Sequence, residues 1–128
     1  MDVILLVEDN PYDSEQTALA LRGRWVQIEV ASTGEDALAY LDKAEAAPLF
    51  LLVDLGLPLM SGVMLIHKVR ENPKTARIPI IILTGRADDA ETYKALGADA
   101  YLLKPLEMSE LLEALKPFGL ALGIIKKD

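Results

Sequence analysis

The sequence predicts a single α/β domain in which helices cover both faces of a five-stranded parallel sheet. Apolar, strand-like runs alternate five times with amphipathic stretches of helical length along the 128 residues. Strict alternation of this kind favours a parallel sheet with right-handed crossovers. Five such units in a chain of this length fit the flavodoxin-like, doubly wound (βα)5 fold, whose strand order is 2-1-3-4-5.

The predicted strands are five apolar runs. The first, third and fourth are nearly continuous in apolar residues, as is typical of strands that are buried on both faces of a sheet. The five runs are Val3–Val7, Val26–Ala31, Leu49–Val53, Ile78–Leu83 and Ala100–Leu103.

The first two predicted helices begin with capping signals. Asn10 is a favourable N-cap residue, and Pro11 suits the first helical position that follows it. The second helix opens on Ser32–Glu35, which has the spacing of a capping box. Its predicted buried face consists of Ala37, Leu38 and Leu41.

The other helices are predicted from apolar stripes and from the residues that end them. The third follows Ser61–Gly62, and the fourth covers about 88–96 and stops at Gly97, a typical C′ residue. The fifth should end or kink near Lys116, because Pro117 lacks an N–H and clashes with the preceding turn. The stripes are Val63, Ile66 and Val69 in the third helix and Met108, Leu111, Leu112 and Leu115 in the fifth.

The composition and charge exclude several classes of protein. Apolar residues make up 52% of the chain and charged residues 26%, which is ordinary for a globular domain and excludes intrinsic disorder. The net charge of −7 disfavours a nucleic-acid partner, because the phosphate backbone is also negative. No apolar run has the length of a membrane span and no signal peptide is evident, so we expect a cytoplasmic protein without a membrane contact. The absence of cysteine excludes a thiol nucleophile and a Cys-based zinc site.

Reactive side chains follow four of the five predicted strands. Glu8 and Asp9 follow the first, Asp54 the third, Thr84 the fourth and Lys104 the fifth. The carboxyl ends of neighbouring parallel strands meet at one edge of a sheet, so we expect these side chains to converge. Clustered carboxylates repel one another unless a cation binds them, and hard oxygen ligands suit Mg²⁺.

This set of side chains is suited to phosphoryl transfer. A carboxylate such as Asp54 can act as a nucleophile and form an acyl phosphate. The Lys104 ammonium and the Thr84 hydroxyl are both suited to phosphoryl oxygens. A metal ion and a lysine would stabilise the charge on the transferring group, and little other chemistry is required of the protein.

Four segments resemble the motifs of response-regulator receiver domains from two-component signalling. They are LLVEDNP, LLVDLGLPLMSG, IIILTG and GADAYLLKP, and the resemblance covers residues 3 to about 115. It implies a phosphoacceptor signalling protein rather than a turnover enzyme, with intrinsic self-phosphorylation and autodephosphorylation only. It further implies Mg²⁺ as cofactor and a histidine kinase or histidine phosphotransfer protein as phosphoryl donor. We expect residues 1–128 to form one domain that acts alone, so its output should be by protein contact.

The resemblance assigns the phosphoacceptor and the metal ligands. Asp54 matches the phosphoacceptor, and Asp9 matches a direct Mg²⁺ ligand. Glu8 matches an acidic position that often acts through water. The backbone carbonyl of Gly56 matches the third protein ligand, beside Asp9 and Asp54.

The resemblance also assigns the residues that sense the phosphoryl group. Lys104 matches the lysine that pairs with the phosphate, Thr84 matches the switch hydroxyl, and Tyr101 matches the switch aromatic. Pro105 matches a position that usually follows a cis peptide bond.

Three other functions share part of this pattern. A flavodoxin-like electron carrier needs a hydroxyl- and Gly-rich loop after the first strand, where this chain has Glu8–Pro11. A phosphatase of the haloacid-dehalogenase type needs a second aspartate two residues after the nucleophile, where this chain has Gly56. A degenerate receiver that only binds partners is disfavoured by the intact set of site residues.

Three remaining features have structural interpretations. The segment 117–125 is apolar, and we predict that it completes a homodimer surface with the last helix; the alternative is that it packs on its own chain. Asp13, Asp88 and Asp89 are interpreted as first-turn residues that the helix dipole favours, without a chemical role. The single histidine, His67, is expected to face solvent.

Overall fold

The computed structural model describes residues 2–55, 60–85 and 95–124. Its strands form one parallel sheet in the order β2-β1-β3-β4-β5, which confirms the predicted α/β fold class and strand order. The strands are β1 (Asp2–Val7), β2 (Val26–Ala31), β3 (Leu51–Val53), β4 (Ile80–Thr84) and β5 (Ala100–Leu103).

The starts of β3 and β4 differ from the prediction. Both strands begin later than the apolar runs that predicted them. Pro79, which has no N–H to donate, directly precedes β4, but its carbonyl oxygen already accepts from the Leu51 N–H at 2.9 Å. Leu49 precedes β3 but already donates to the Val3 carbonyl oxygen at 2.8 Å, so the apolar run lies along the sheet over its whole length.

Side-chain caps fix the starts of three helices. The Asn10 side chain accepts from the Asp13 N–H at 3.1 Å, and the Thr33 hydroxyl accepts from the Asp36 N–H at 3.0 Å. Ser61 caps the third helix in the same way. The helices within the described ranges are α1 (Pro11–Ala20), α2 (Gly34–Lys43), α3 (Gly62–Glu71) and α4 (Met108–Leu115). Most of the fourth predicted helix, with Asp88 and Asp89, lies outside the described residues, and α4 corresponds to the fifth.

Two apolar clusters lie on opposite faces of the sheet. Alternate residues of β1 belong to different clusters, as the two-residue period of a strand requires. Leu5 and Val7 pack with residues of α2 and α3, whereas Ile4 and Leu6 pack with residues of α1 and α4. Helices therefore cover both faces of the sheet. No helix in the described part of the chain is both long and apolar enough to cross a membrane.

The buried face of α3 differs from the predicted stripe. Ile66 and Val69 are fully buried, but Val63 is 39% exposed and Leu65 takes its place in the core. Leu65, Ile66 and Val69 together form one helical face, and Val63 lies on its margin. His67 is exposed, as expected, and pairs with Glu71 one turn further along the helix.

Arg70 joins α3 to the starts of β4 and β5. Its guanidinium donates to the carbonyl oxygens of Gly97, Ala76 and Ile78 at 2.7–3.0 Å. It also pairs with the Asp99 carboxylate at 2.9 Å, and that carboxylate accepts from the Ile80 N–H. One planar guanidinium therefore satisfies polar groups from several loops that lie opposite the predicted site.

The C-terminal segment packs on its own chain. Helix α4 ends at Leu115, before a 3-10 turn that contains Pro117, so the predicted end near Lys116 is confirmed. Leu122 is buried in the α1–α4 cluster, and the Gly123 carbonyl accepts from the Trp25 N–H beside β2. Residues 122 and 123 therefore pack on the same chain, as the alternative interpretation of this segment predicts.

Candidate functional site

The predicted site residues of the described ranges, apart from Tyr101, lie at one edge of the sheet. Backbone hydrogen bonds continue the strand pairing past the strand ends and fix this edge. The Glu8 N–H donates to the Ala31 carbonyl at 3.0 Å, and the Asp54 N–H donates to the Val7 carbonyl at 3.0 Å. The Lys104 N–H donates to the Thr84 carbonyl at 2.7 Å, which joins the ends of β4 and β5.

Three carboxylates meet at this edge. Glu8, Asp9 and Asp54 each place one carboxylate oxygen within 4.8 Å of the others. Glu8 is only 2% exposed, Asp54 is partly buried and Asp9 is exposed, so the cluster opens to solvent on one side. Close carboxylate oxygens beside an open face form a donor set that fits Mg²⁺, which takes a few protein oxygens and completes its coordination with water.

Lys104 joins three carboxylates. Its ammonium nitrogen lies 2.6 Å from Glu8 Oε1, 2.9 Å from Asp13 Oδ2 and 3.3 Å from Asp54 Oδ2. An ammonium group has three donors, so these distances account for all of its hydrogen bonds. The side chain is 18% exposed, and its positive charge therefore acts where water screens it only in part.

Burial and neighbouring charges shift the ionisation of this cluster. Burial raises the pKa of Glu8 to about 7, and the nearby Asp54 adds to the rise, while the hydrogen bond from Lys104 opposes it. Burial alone would lower the pKa of Lys104, but the hydrogen bonds to Asp13 and Glu8 outweigh it and the pKa lies above its ordinary value. A second cation beside Glu8 would favour its ionised form, which further supports the fit to a divalent metal.

The remaining predicted residues lie close to this cluster or on the adjoining strands. Thr84 is buried at the end of β4, and Tyr101 of β5 packs partly buried against the cluster of apolar residues beneath α2 and α3. The peptide bond between Lys104 and Pro105 is cis. Gly56 lies outside the described residues.

Asp13 is a site residue that the sequence analysis missed. The sequence predicts only a first-turn residue there, but the Asp13 carboxylate accepts a hydrogen bond from Lys104, which is 91 positions away in the sequence. Asp13 does lie in the first turn of α1, and the helix dipole alone would explain an acidic residue at this position. Only the packing of α1 beside β5 shows the contact.

Gly62 is a second residue whose role is visible only in the structure. A Cβ at this position would lie 2.6 Å from the Asp54 carbonyl oxygen and 2.6 Å from the Leu55 Cα. The Gly62 N–H also donates to the Leu55 carbonyl at 3.0 Å. The start of α3 therefore supports the backbone that carries Asp54, and only glycine allows this approach.

Gly62→Ala should destabilise the fold by about 1–3 kcal/mol, although alanine is the better helix former, because backbone atoms must move to admit the methyl group. Urea unfolding would measure the loss. Gly85→Ala is the matched control, since a Cβ there meets nothing within 4 Å. Equal stability of the two variants would contradict this role of Gly62.

Comparison with known proteins identifies the family. The family model of the response regulator receiver domain matches residues 4–116, which is most of the chain. The chain belongs to this family. This family is the one that the sequence motifs resemble. The electron-carrier and phosphatase alternatives are not supported.

Similar proteins agree with this assignment. The phosphate regulon transcriptional regulatory protein PhoB of Rhizobium meliloti is 34% identical over 115 residues, or 88% of this chain and 50% of that protein. The bacteriophytochrome response regulator AtBRR has a TM-score of 0.88 at 29% identity, over 99% of both chains. The receiver domain of the sensor histidine kinase PA1611 of Pseudomonas aeruginosa has a TM-score of 0.80 at 27% identity, over 93% of this chain and 98% of that one. That structure has a magnesium ion coordinated in its active site cleft.

The length of the match varies between relatives. The receiver domain spans about half the length of the curated transcriptional regulators that it matches first. It spans 90% of an uncharacterised 14.6 kDa protein of Leptolyngbya boryana, with which it is 33% identical over 120 residues. Similar sequences therefore occur both within longer regulators and in a protein of about this size.

Proposed function

We propose that this receiver domain accepts a phosphoryl group on Asp54 from the phosphohistidine of a partner histidine kinase or histidine phosphotransfer protein, with Mg²⁺ as cofactor. The observation that carries the proposal is the convergence of Asp54 with Glu8, Asp9 and Lys104 at one edge of the sheet. Membership in the receiver family supports this interpretation of the carboxylate cluster. Such a protein accepts a signal rather than turning over a substrate.

The transfer needs little from the protein beyond position and charge. A carboxylate oxygen of Asp54 attacks the phosphorus, and a P–O bond forms while the P–N bond to the partner's imidazole breaks. The electron pair of that bond goes to the imidazole nitrogen, which leaves as the neutral ring once protonated. Lys104 lies 3.3 Å from Asp54 and can donate to the phosphoryl oxygens.

The metal would be held by the carboxylates at the edge of the sheet. We propose Asp9 and Asp54 as direct ligands, Glu8 as a ligand through water, and the Gly56 backbone carbonyl as the third protein ligand. When bound, Mg²⁺ supplies positive charge beside the transferred group. Its presence in the cleft of the PA1611 receiver domain supports this choice of ion.

The signal would leave the site through Thr84 and Tyr101. In this proposal the Thr84 hydroxyl follows the phosphoryl group, and Tyr101 moves toward the space that it vacates. The change alters the surface formed by the fourth predicted helix, β5 and α4, as a local event with a remote consequence. We further propose that the domain acts alone in the cytoplasm and that its output is contact with a protein rather than with nucleic acid or membrane.

Phosphorylation with a small-molecule donor tests the proposal. The protein is incubated with acetyl phosphate in the presence of Mg²⁺ and, separately, of EDTA, and its intact mass is measured. We expect one acid-stable, base-labile phosphate with Mg²⁺ and none with EDTA. Failure to label with this donor and with a panel of phosphorylated histidine kinases would contradict it.

We also propose a homodimer through α4 and the C-terminal segment 117–125. Packing on the same chain covers part of this segment, but Phe118 and Ile124 within it remain 38% and 69% exposed. Trp25, whose N–H donates to the Gly123 carbonyl, is 56% exposed. Exposed apolar residues in one region are typical of a partner surface.

Ile124→Glu should therefore convert the dimer to a monomer in light scattering, because it places a charge in the apolar contact. Lys68→Glu, exposed on the other side of the sheet, is the control and should remain dimeric. Leu122→Glu is unsuitable, since Leu122 is buried and its charge would unfold the domain. A monomeric wild type, or a dimeric Ile124→Glu variant, would exclude this interface.

A further inference from the structure

The three carboxylates bonded to Lys104 belong to two different groups. Glu8 and Asp54 are members of the carboxylate cluster that fits a divalent cation, whereas Asp13 is not. Asp13 lies on α1, and its Oδ2 is 2.9 Å from the ammonium nitrogen. The Lys104 ammonium therefore contacts both the carboxylate cluster and a carboxylate outside it.

This arrangement creates a competition for Glu8 and Asp54. The Lys104 ammonium contacts both carboxylates, at 2.6 and 3.3 Å, and a divalent cation bound to the cluster would draw on the same two groups. Two cations that share carboxylates at such distances repel each other strongly in a partly buried site. Lys104 must loosen its hold on the cluster when a divalent cation is bound, yet remain close enough to Asp54 to meet a phosphoryl group.

Asp13 is placed to resolve that competition. Its backbone N–H donates to the Asn10 side chain at the start of α1, so the backbone that carries the carboxylate has a defined position. It lines, with Lys104 and Pro105, a groove of about 390 Å³ between α1 and the loop after β5. Because Lys104 lines this groove, its side chain has room to move away from Glu8 while it keeps the 2.9 Å contact with Asp13.

We propose that Asp13 is a positioning residue that draws the Lys104 ammonium away from Glu8, so that the carboxylate cluster can hold a divalent cation while the ammonium stays within reach of Asp54. The inference rests on the proposed function, which names the cation and the phosphoryl group. Asp13 itself contacts neither of them and acts through Lys104.

A double-mutant cycle on Mg²⁺ affinity tests the inference. Asp13→Asn should weaken Mg²⁺ binding by about 3- to 10-fold in calorimetry, because Lys104 is then left with only the two cluster carboxylates as partners. The same change in a Lys104→Met background should alter the affinity less than about 2-fold, since there is no ammonium left to position. Asp13→Glu keeps a carboxylate in the groove and should restore most of the affinity.

Two controls separate a positioning role from a general effect of charge or folding. Glu15→Gln removes a charge from the exposed side of the same helix and should leave the Mg²⁺ affinity unchanged. Thermal unfolding shows which variants are folded, and Lys104→Gln replaces Lys104→Met in the cycle if the latter is not.

The possible outcomes distinguish failure of this inference from failure of the proposed function. An unchanged affinity in Asp13→Asn, or an equal loss with and without Lys104, overturns the inference and leaves the labelling of Asp54 untouched. A wild type that binds Mg²⁺ with this coupling but takes no phosphate from any donor overturns the proposed function and leaves the positioning role standing. A loss that requires Lys104 and is restored by Asp13→Glu supports the inference.

Discussion

Asp54→Asn should abolish the incorporation of phosphate from acetyl phosphate. The amide has the shape of the carboxylate but is a poor nucleophile, and it cannot form the acyl phosphate. Asp54 is the carboxylate of the cluster that follows β3, and Lys104 lies 3.3 Å from it. Intact-mass measurement after incubation with donor and Mg²⁺ would show one phosphate on the wild type and none on the variant.

Asp42→Asn is the matched control for this experiment. It makes the same chemical change on the exposed surface of α2, away from the strand ends, and should be labelled as fully as the wild type. The Asp54→Asn variant should remain folded, because the substitution removes one of several like charges that repel one another. Equal labelling of the wild type and Asp54→Asn would show that the phosphoryl group goes elsewhere.

Asp9→Ala should weaken Mg²⁺ binding by at least about 10-fold, which is the second large effect that we expect. The substitution removes a hard oxygen ligand and leaves Glu8 and Asp54 as the remaining carboxylates of the cluster. Asp9 is exposed, so its loss opens no cavity and the fold should be retained. Calorimetric titration of the metal-free protein with MgCl₂ gives the affinity.

Glu8→Gln provides the comparison within the cluster. If Glu8 acts through water, its removal should cost less Mg²⁺ affinity than the removal of Asp9. Asp42→Asn again serves as the surface control and should bind Mg²⁺ as the wild type does. An Asp9→Ala variant with wild-type affinity would refute the placement of the metal.

Much of the fold could be predicted because its determinants are local. A nearly continuous apolar run such as Val3–Val7 predicts a buried parallel strand, and the capping residues Asn10 and Ser61 start helices by bonding to N–H groups three positions ahead. The core of the site followed from the same local signals. Asp54 directly follows β3, and Asp9 is the second residue after β1. The strand order then brings the two aspartates together.

The boundaries and faces of some elements needed the assembled structure. Val63 fits a helical stripe in the sequence as well as Leu65 does, and only the direction from which α3 meets the sheet shows that Leu65 is buried. The C-terminal segment is apolar under either interpretation. The segment packs beside Trp25, next to the edge strand β2. That position depends on which apolar surface the assembled sheet leaves uncovered.

The sequence by itself determined the strand order, the family motifs and the carboxylates at the strand ends, because each depends on neighbouring residues and on a general rule of chain topology. The tertiary structure alone decided the contacts between distant elements. Asp13 meets Lys104 across 91 positions, Arg70 meets Asp99 across 29, and Gly62 supports the backbone of Asp54. An aspartate in a first turn, an arginine late in a helix and a glycine at its start each have sufficient local explanations. Their further roles come from the relative placement of packed elements, which no local pattern encodes.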